Sequence, residues 1–409
     1  MGRARHLWVL AHRWSGLALA FFLIVCGATG AVLPFYHELD RVAARAFHAA
    51  SDGPALDPLV LRARAEALSG ARVPHLPLHV PAGEAAVFSI EPRPGGPAPG
   101  FDEIALDPTT GRELGRRSWG AIGEGWVNLM PFLYKLHYSL ALDDWGAWIL
   151  GVAALVWTID CFVGFALTLP LAAIAGWWAR WRKAWTFRTS PRAKAEYDLH
   201  RAGGLWLWPV LLLFAWSGVG FNLNTVFSPV MKAAVGDAKS GYVAQPPLAQ
   251  PLDGPPLDWP AALAQARRLT AREAQARGFT VGQETFMRYD RVSGVYYYAF
   301  RSDRDVYERF AGARLAFDAR DGTLRYLSLP TGAHPRTTIE TWLFGLHMAA
   351  IGGLPVRIAV SLVGLAVVGL SVTGVFIWMR KRRARLISTA RRGARATLPH
   401  FEPTLQPAE

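Results

Sequence analysis

The chain has 409 residues, 52% of them hydrophobic, with only 18% charged side chains and 17 tryptophans. Soluble domains carry about 25% charged residues, so this composition excludes a simple water-soluble protein and, by its apolar content, a disordered one. The 44 Lys and Arg against 31 Asp and Glu leave a net charge of +13, which by itself would fit contact with nucleic acid or with a membrane.

In chain order, Arg3, Arg5 and Arg13 lead into an apolar run from Trp14 to Phe35, and further runs span Trp145 to Leu171, Leu205 to Phe227 and Val356 to Met379. Each is about the 20 residues that a helix needs to cross a bilayer core. The first is longer than the roughly 7 to 15 residues of a signal-peptide core and reads as a retained anchor. Arg180, Arg182, Lys183, Arg188, Arg192 and Lys194 fill the stretch between the second and third runs. Arg380, Lys381, Arg382, Arg383, Arg385, Arg391, Arg392 and Arg395 follow the fourth. With four crossings all these charges fall on one side, so the basic balance is a topology signal that places both termini in the cytoplasm. Nucleic-acid binding would need the charge on one folded surface, and no nucleic-acid partner is expected. Cys26 and Cys161 both lie within the runs, which leaves the exported segments without a disulfide and excludes a cysteine-based metal cluster.

The expected organisation is helix 1 over 6–36, an exported segment over 37–130, helix 2 over 131–175 and a basic loop over 176–197. Helix 3 over 198–227, a second exported segment over 228–338, helix 4 over 339–380 and a basic tail over 381–409 complete it. Trp177, Trp178, Trp181 and Trp185 in the basic loop read as an interfacial aromatic belt. Each exported segment reads as a helix, around Pro58 to Ser69 and Trp259 to Ala276, packed on an antiparallel sheet. The first ends a strand in Asp107-Pro108-Thr109-Thr110-Gly111, and the second carries the alternating Val295 to Phe300 and then Asp318-Ala319-Arg320-Asp321-Gly322.

The chain also repeats itself. His12-Arg13-Trp14-Ser15-Gly16-Leu17 answers His200-Arg201-Ala202-Gly203-Gly204-Leu205 at an offset of 188, and Thr29-Gly30 answers Ser217-Gly218 at the same offset. Leu136-His137-Tyr138 answers Leu346-His347-Met348 at an offset of 210. An even number of crossings per half gives the halves one orientation, with the pseudo-two-fold axis along the membrane normal. His12 and His200 then face each other at the cytoplasmic end, and His137 and His347 at the exported end.

Two imidazoles opposed across an axis are what a haem iron with two axial histidines requires. Two such pairs imply two b-type haems, since no C-x-x-C-H occurs for covalent attachment. Interfacial histidines can instead be satisfied by water or lipid head groups, but their recurrence in register with the repeat favours ligation. A bare metal-ion site is disfavoured because no carboxylate is evident beside either pair. Arg13 and Arg201 read either as partners of the haem propionates or as ordinary positive-inside arginines. Gly16, Gly203 and Gly204 would admit a flat macrocycle or simply pack helices. Asp160, well inside the second run, should face the interior, either relaying protons or bonding to a neighbouring helix.

The H-R-x-x-G-L openings, the Leu-His pairs, Thr373-Gly374 with Trp378, and the Asp-Pro-x-Thr-Gly turn resemble the PepSY-associated transmembrane family, over about His6 to Arg383. That family includes iron-regulated inner-membrane proteins and haem-containing siderophore reductases. The resemblance implies a four-helix transmembrane core with two periplasmic α+β PepSY domains. In the reductase branch it implies two haems carrying electrons to a periplasmic ferric siderophore, with His12, His137, His200 and His347 at the motif positions. The second turn, Asp318 to Gly322, departs from the first, so the second PepSY match is weaker. A separate electron donor, a quinol or a cytoplasmic reductase, is expected, because no G-x-G-x-x-G follows a strand and the basic loop is too small for a flavin domain. A PepSY membrane protein that binds or regulates a periplasmic partner without catalysis is the alternative.

Overall fold

The computed structural model describes residues 3–170, 176–188, 192–237 and 245–396. The segment that joins the second run to the basic loop, part of the second exported segment and the tail beyond 396 thus lie partly outside the described residues. The chain divides into two compact units, one drawn from residues 1–24, 156–212 and 366–409, the other from 25–155 and 213–365.

Among the described residues three helices are long and apolar enough to cross a membrane: Arg3–Ala43, Asp143–Thr168 and Gly353–Thr389. They contain α1 (Arg3–Val32) running on into α2 (Tyr36–Ala43), α5 (Asp143–Thr168), and most of α12 (Gly353–Ala396). The third apolar run is not one straight helix. It is divided between α7 (Arg192–Trp206) and α8 (Trp208–Asn222), bent by 69°. Pro209, in the first turn of α8, has no N–H to continue the ladder and its ring obstructs the preceding turn, so the helix breaks just before it. Phe227, placed at the end of this run from the sequence, instead belongs to α9 (Asn224–Val235).

In the first unit the basic loop forms α6 (Trp177–Arg182) and a short 3-10 turn. Trp177, Trp181, Trp185 and Trp206 follow one another with ring centres 5.2–5.4 Å apart, and Trp178 packs on the first two. Arg5 donates to the carbonyls of Leu167 and Leu169, which satisfies acceptors left open at the end of α5.

The second unit holds the segments 37–130 and 228–338, so far as they are described. Helices α3 (Pro58–Ser69) and α10 (Trp259–Arg277) use the same boundary chemistry. Asp57 and Asp258 accept from backbone N–H groups at 2.7 and 2.8 Å, a proline follows in the first turn, and Gly70 and Gly278 close the helices with positive φ. One sheet has the order β2 (Ala86–Ser89), β3 (Glu103–Leu106), β4 (Glu113–Arg117), all antiparallel. Leu61 and Ala65 of α3 pack on its Phe88, Ile104 and Leu106. The other antiparallel sheet has the order β1 (His75–Pro77), β5 (Val281–Asp290), β6 (Val295–Ser302), β7 (Ala313–Asp318), β8 (Leu324–Ser328). Helix α10 covers it through Trp259, Leu263 and Ala266 on Tyr296, Phe300 and Phe317.

The segments 37–130 and 228–338 therefore share a sheet. Strand β1 comes from the first and pairs with β5 of the second, Leu76 opposite Met287, with both side chains fully buried. The three-residue β1 had no periodicity to reveal it, and burial of Leu76 in the other segment's core fixes its register. The two turns, by contrast, match. Gly111 donates to the Asp107 carbonyl at 2.8 Å and Gly322 to the Asp318 carbonyl at 2.9 Å, so the Arg320 departure leaves the backbone unchanged.

The histidine-bearing segments at this end are helices of their own, not the starts of spans. Helix α4 (Leu129–Ser139) carries His137 and α11 (Pro335–His347) ends on His347. Left-handed residues follow each: Leu140, Ala141 and Asp143 after α4, and Ala349, Gly352 and Gly353 after α11. Such backbone turns the chain sharply into the next helix, and it costs roughly 1–3 kcal/mol at each non-glycine position. At the first turn of α5 a Cβ on Gly146 would lie 1.7 Å from the Ser139 carbonyl oxygen, so only glycine fits.

Candidate functional site

The four histidines come together in two pairs. In the first unit His12 of α1 and His200 of α7 have ring centres 6.1 Å apart. In the second, His137 and His347 lie 6.3 Å apart, with Phe214 and Phe221 packed on the His347 ring at 4.8 and 5.3 Å.

Each ring is held through Nδ1. His200 Nδ1 is 2.9 Å from the Leu370 carbonyl and 3.3 Å from Thr373 Oγ1. A carbonyl can only accept, so Nδ1 carries the proton. His12 Nδ1 lies 3.0 Å from Asp160 Oδ2, and Ser15 Oγ donates to Asp160 Oδ1 at 2.7 Å. His137 Nδ1 lies 3.0 Å from Thr29 Oγ1, and His347 Nδ1 2.5 Å from Ser217 Oγ. Both hydroxyls already give their proton to the carbonyl four residues earlier, Val25 and Leu213, at 2.7 Å. A hydroxyl whose proton goes to that carbonyl accepts from the ring. With the protons so placed, each of the four imidazoles carries its hydrogen on Nδ1 and keeps the Nε2 lone pair free.

That is the arrangement of metal-ligating histidine, in which the second ring nitrogen donates to a carboxylate, carbonyl or hydroxyl. The spacing fits as well. Two imidazoles at about 2.0 Å from one metal, with about 1.1 Å from nitrogen to ring centre, put their centres roughly 6.2 Å apart. Glycines let the rings seat: a Cβ on Gly30 would meet His137 Cε1 at 3.0 Å, on Gly374 would meet His200 Cε1 at 3.1 Å, and on Gly164 would meet His12 Cε1 at 3.4 Å. Gly16 and Gly204 have nothing within 4 Å of a Cβ, and Gly203 meets only Leu370. The residues present thus fit an iron porphyrin held between each pair. Among the described residues no group of three or more His, Cys, Asp or Glu could hold a bare metal ion.

A carboxylate does stand beside one pair: Asp160, 11% exposed, on His12. It is engaged with Nδ1 and serves the ring. Arg201 pairs with Asp198 at 2.9 Å and donates to the Lys183 and Thr186 carbonyls, which ties the basic loop to α7 and leaves its buried Nε without a partner. Arg13 is half-buried beside His12. Sequence reading missed the ring acceptors. Thr29 and Ser217 recur at 188, the offset of His12 and His200 and not the 210 of the His137 and His347 they hold, so the repeat marks them without naming their rings; the Leu370 carbonyl, being backbone, has no such mark.

No curated protein matches the chain. The family model described as the PepSY-associated TM region matches residues 9–381, nearly the whole chain, and with its long apolar helices the protein belongs to this family of membrane proteins.

Proposed function

We propose that the protein is a di-haem reductase of the bacterial inner membrane that passes electrons to a periplasmic ferric siderophore and releases the iron as ferrous ion. In this reading the chain is an internal repeat around a four-helix core, with both termini cytoplasmic and the two exported segments as periplasmic PepSY domains. The observation that carries it is the pair of opposed histidine pairs, each ring with Nδ1 bound and Nε2 free.

His12 and His200 would hold one haem b, and His137 and His347 the other. Haem iron supplies one-electron transfer without proton or group chemistry. Asp160, the Leu370 carbonyl, Thr29 and Ser217 hold the four rings in one orientation. Phe214 and Phe221 keep water from His347. Arg13, and Arg201 through its free Nε, would face the propionates. Electrons enter from a separate donor, a quinol or a cytoplasmic reductase, at the His12 end. On the exported side each takes one ferric ion to the softer ferrous state, which weakens the hold of oxygen-rich chelators.

The test is the purified, detergent-solubilised chain made with haem in ample supply, its absorption spectrum taken first. After anaerobic reduction it is mixed with several ferric chelates and a ferrous trap. Haem reoxidation with stoichiometric ferrous capture is expected. A colourless preparation would replace this reading with a non-enzymatic PepSY protein that engages a periplasmic partner. A haem protein inert to every ferric chelate would keep the cofactor and overturn the substrate.

A further inference from the structure

Three of the four ring acceptors are neutral: the Leu370 carbonyl, Thr29 Oγ1 and Ser217 Oγ. The fourth, on His12, is the carboxylate of Asp160, 3.0 and 3.1 Å from Nδ1 through its two oxygens. Its side chain is 11% exposed, so solvent screens its charge little.

We propose, resting on the di-haem reading, that Asp160 orders the two redox centres, holding iron between His12 and His200 at a lower potential than iron between His137 and His347. Two effects act in one direction. A carboxylate accepting from Nδ1 draws the imidazole toward the imidazolate, making Nε2 the more basic ligand. Its negative charge favours the ferric ion, which carries one more positive charge than the ferrous. Second-shell hydrogen bonding and local charge are among the levers by which a protein sets haem potential. Thr29 and Ser217 supply neither, so electrons run downhill from the His12 and His200 pair to the His137 and His347 pair. Asp160 does this as a positioning residue, through His12 and without touching the reacting atoms. Ser15 tempers it: its hydroxyl, 2.7 Å from Oδ1 and 2.8 Å from the Ala11 carbonyl, shares its proton between the two and withdraws part of the carboxylate's charge.

The experiment is an optical redox titration of the full chain in detergent, with each component assigned by its loss in His200→Ala or His347→Ala. The lower-potential component should be the one lost in His200→Ala. Asp160→Asn keeps an acceptor oxygen and removes the charge. It should raise that component by at least a tenfold change in the ferrous to ferric ratio, 59 mV for one electron, and leave the other where it was. Ser15→Ala, which leaves every histidine bond in place, should lower the same component by less than tenfold. It decides the matter should the Asn variant not retain its haem. A wild type in which the His137 and His347 component is the lower overturns the proposal, as does a pair of variants that move neither component or both equally. A wild type without haem would fall earlier, on its spectrum, and would remove the functional reading itself.

Discussion

The two halves of the chain hold their histidines alike and build their scaffolds differently. In the second unit Thr29 of the first half and Ser217 of the second present the same hydroxyl to His137 and His347. Around them the halves diverge. The first enters the bilayer on an unbroken α1, while the second bends by 69° between α7 and α8. The first half's sheet has three strands, and the second's has five by taking β1 from its neighbour. A bend or a borrowed strand is tolerated wherever it leaves the imidazoles opposed. What the halves share is therefore the better guide to function, and what they do not share is the guide to how each is stabilised.

The largest effect should come from breaking the sharing outright. His137→Ala and His347→Ala sit in different halves, yet each should remove the same spectral component and spare the other. His12→Ala and His200→Ala should together define the second component. Visible spectra of the four variants, with circular dichroism to confirm folding, decide it. Loss of one component by His12→Ala and His137→Ala alike would mean that ligands pair within a half.

Much of this was legible in the sequence for physical reasons. The spans show because about 20 apolar residues have few other uses. Helices α3 and α10 show because Asp, Pro and Gly mark their ends, and the two hairpin turns because an aspartate at the turn's start and a glycine four residues on are chemically required. Pro209 is equally visible, but the break it makes is hidden by an apolar run that reads unbroken from Leu205 to Phe227. Strand β1 was not visible at all: three residues carry no period, and their partner lies more than 200 positions away. At the site, side chains that recur were legible and their partners were not. Asp160 stood out as a charge in a span, yet nothing in its position names His12, and the Leu370 carbonyl has no sequence signature.

A smaller effect sharpens the likeness of the halves. Thr29→Val and Ser217→Ala each remove the acceptor of one ring of the His137 and His347 pair and leave the ligand. Loss of such a partner typically lowers metal-site affinity roughly 10- to 100-fold. The two variants should retain less haem in the same component, and to a similar degree, as measured by haem content after dilution with an apo-acceptor. Loss from one variant alone would show that the two hydroxyls are alike in position only.

The smallest expected effect concerns the hairpins, where the halves keep one backbone turn with different side chains. Asp107 is buried, which opposes ionisation, but the Ser51 hydroxyl and the N–H groups of Thr109, Thr110 and Ser51 outweigh that and hold its carboxyl down at about 2. In the second turn hydrogen bonds from the Arg320 guanidinium, opposed by burial and joined by the Arg320 N–H and Arg325, push the Asp318 carboxyl below the carboxylate range. Both groups are depressed relative to the unfolded chain, in which an Asp titrates near 4. Their stabilisation is therefore complete above about pH 4 and is lost as pH falls through the folded values. Asp107→Asn should cost about 2 kcal/mol at neutral pH and flatten the acid limb of the melting curve. Asp318→Asn should do the same, but with a dependence on salt that Asp107→Asn lacks, because arginines hold one carboxylate and neutral donors the other. Thermal melts from pH 3 to 7 at low and high salt test this. Equal salt sensitivity in the two turns would show that the guanidinium contacts of Asp318 carry no more weight than the backbone bonds both turns share.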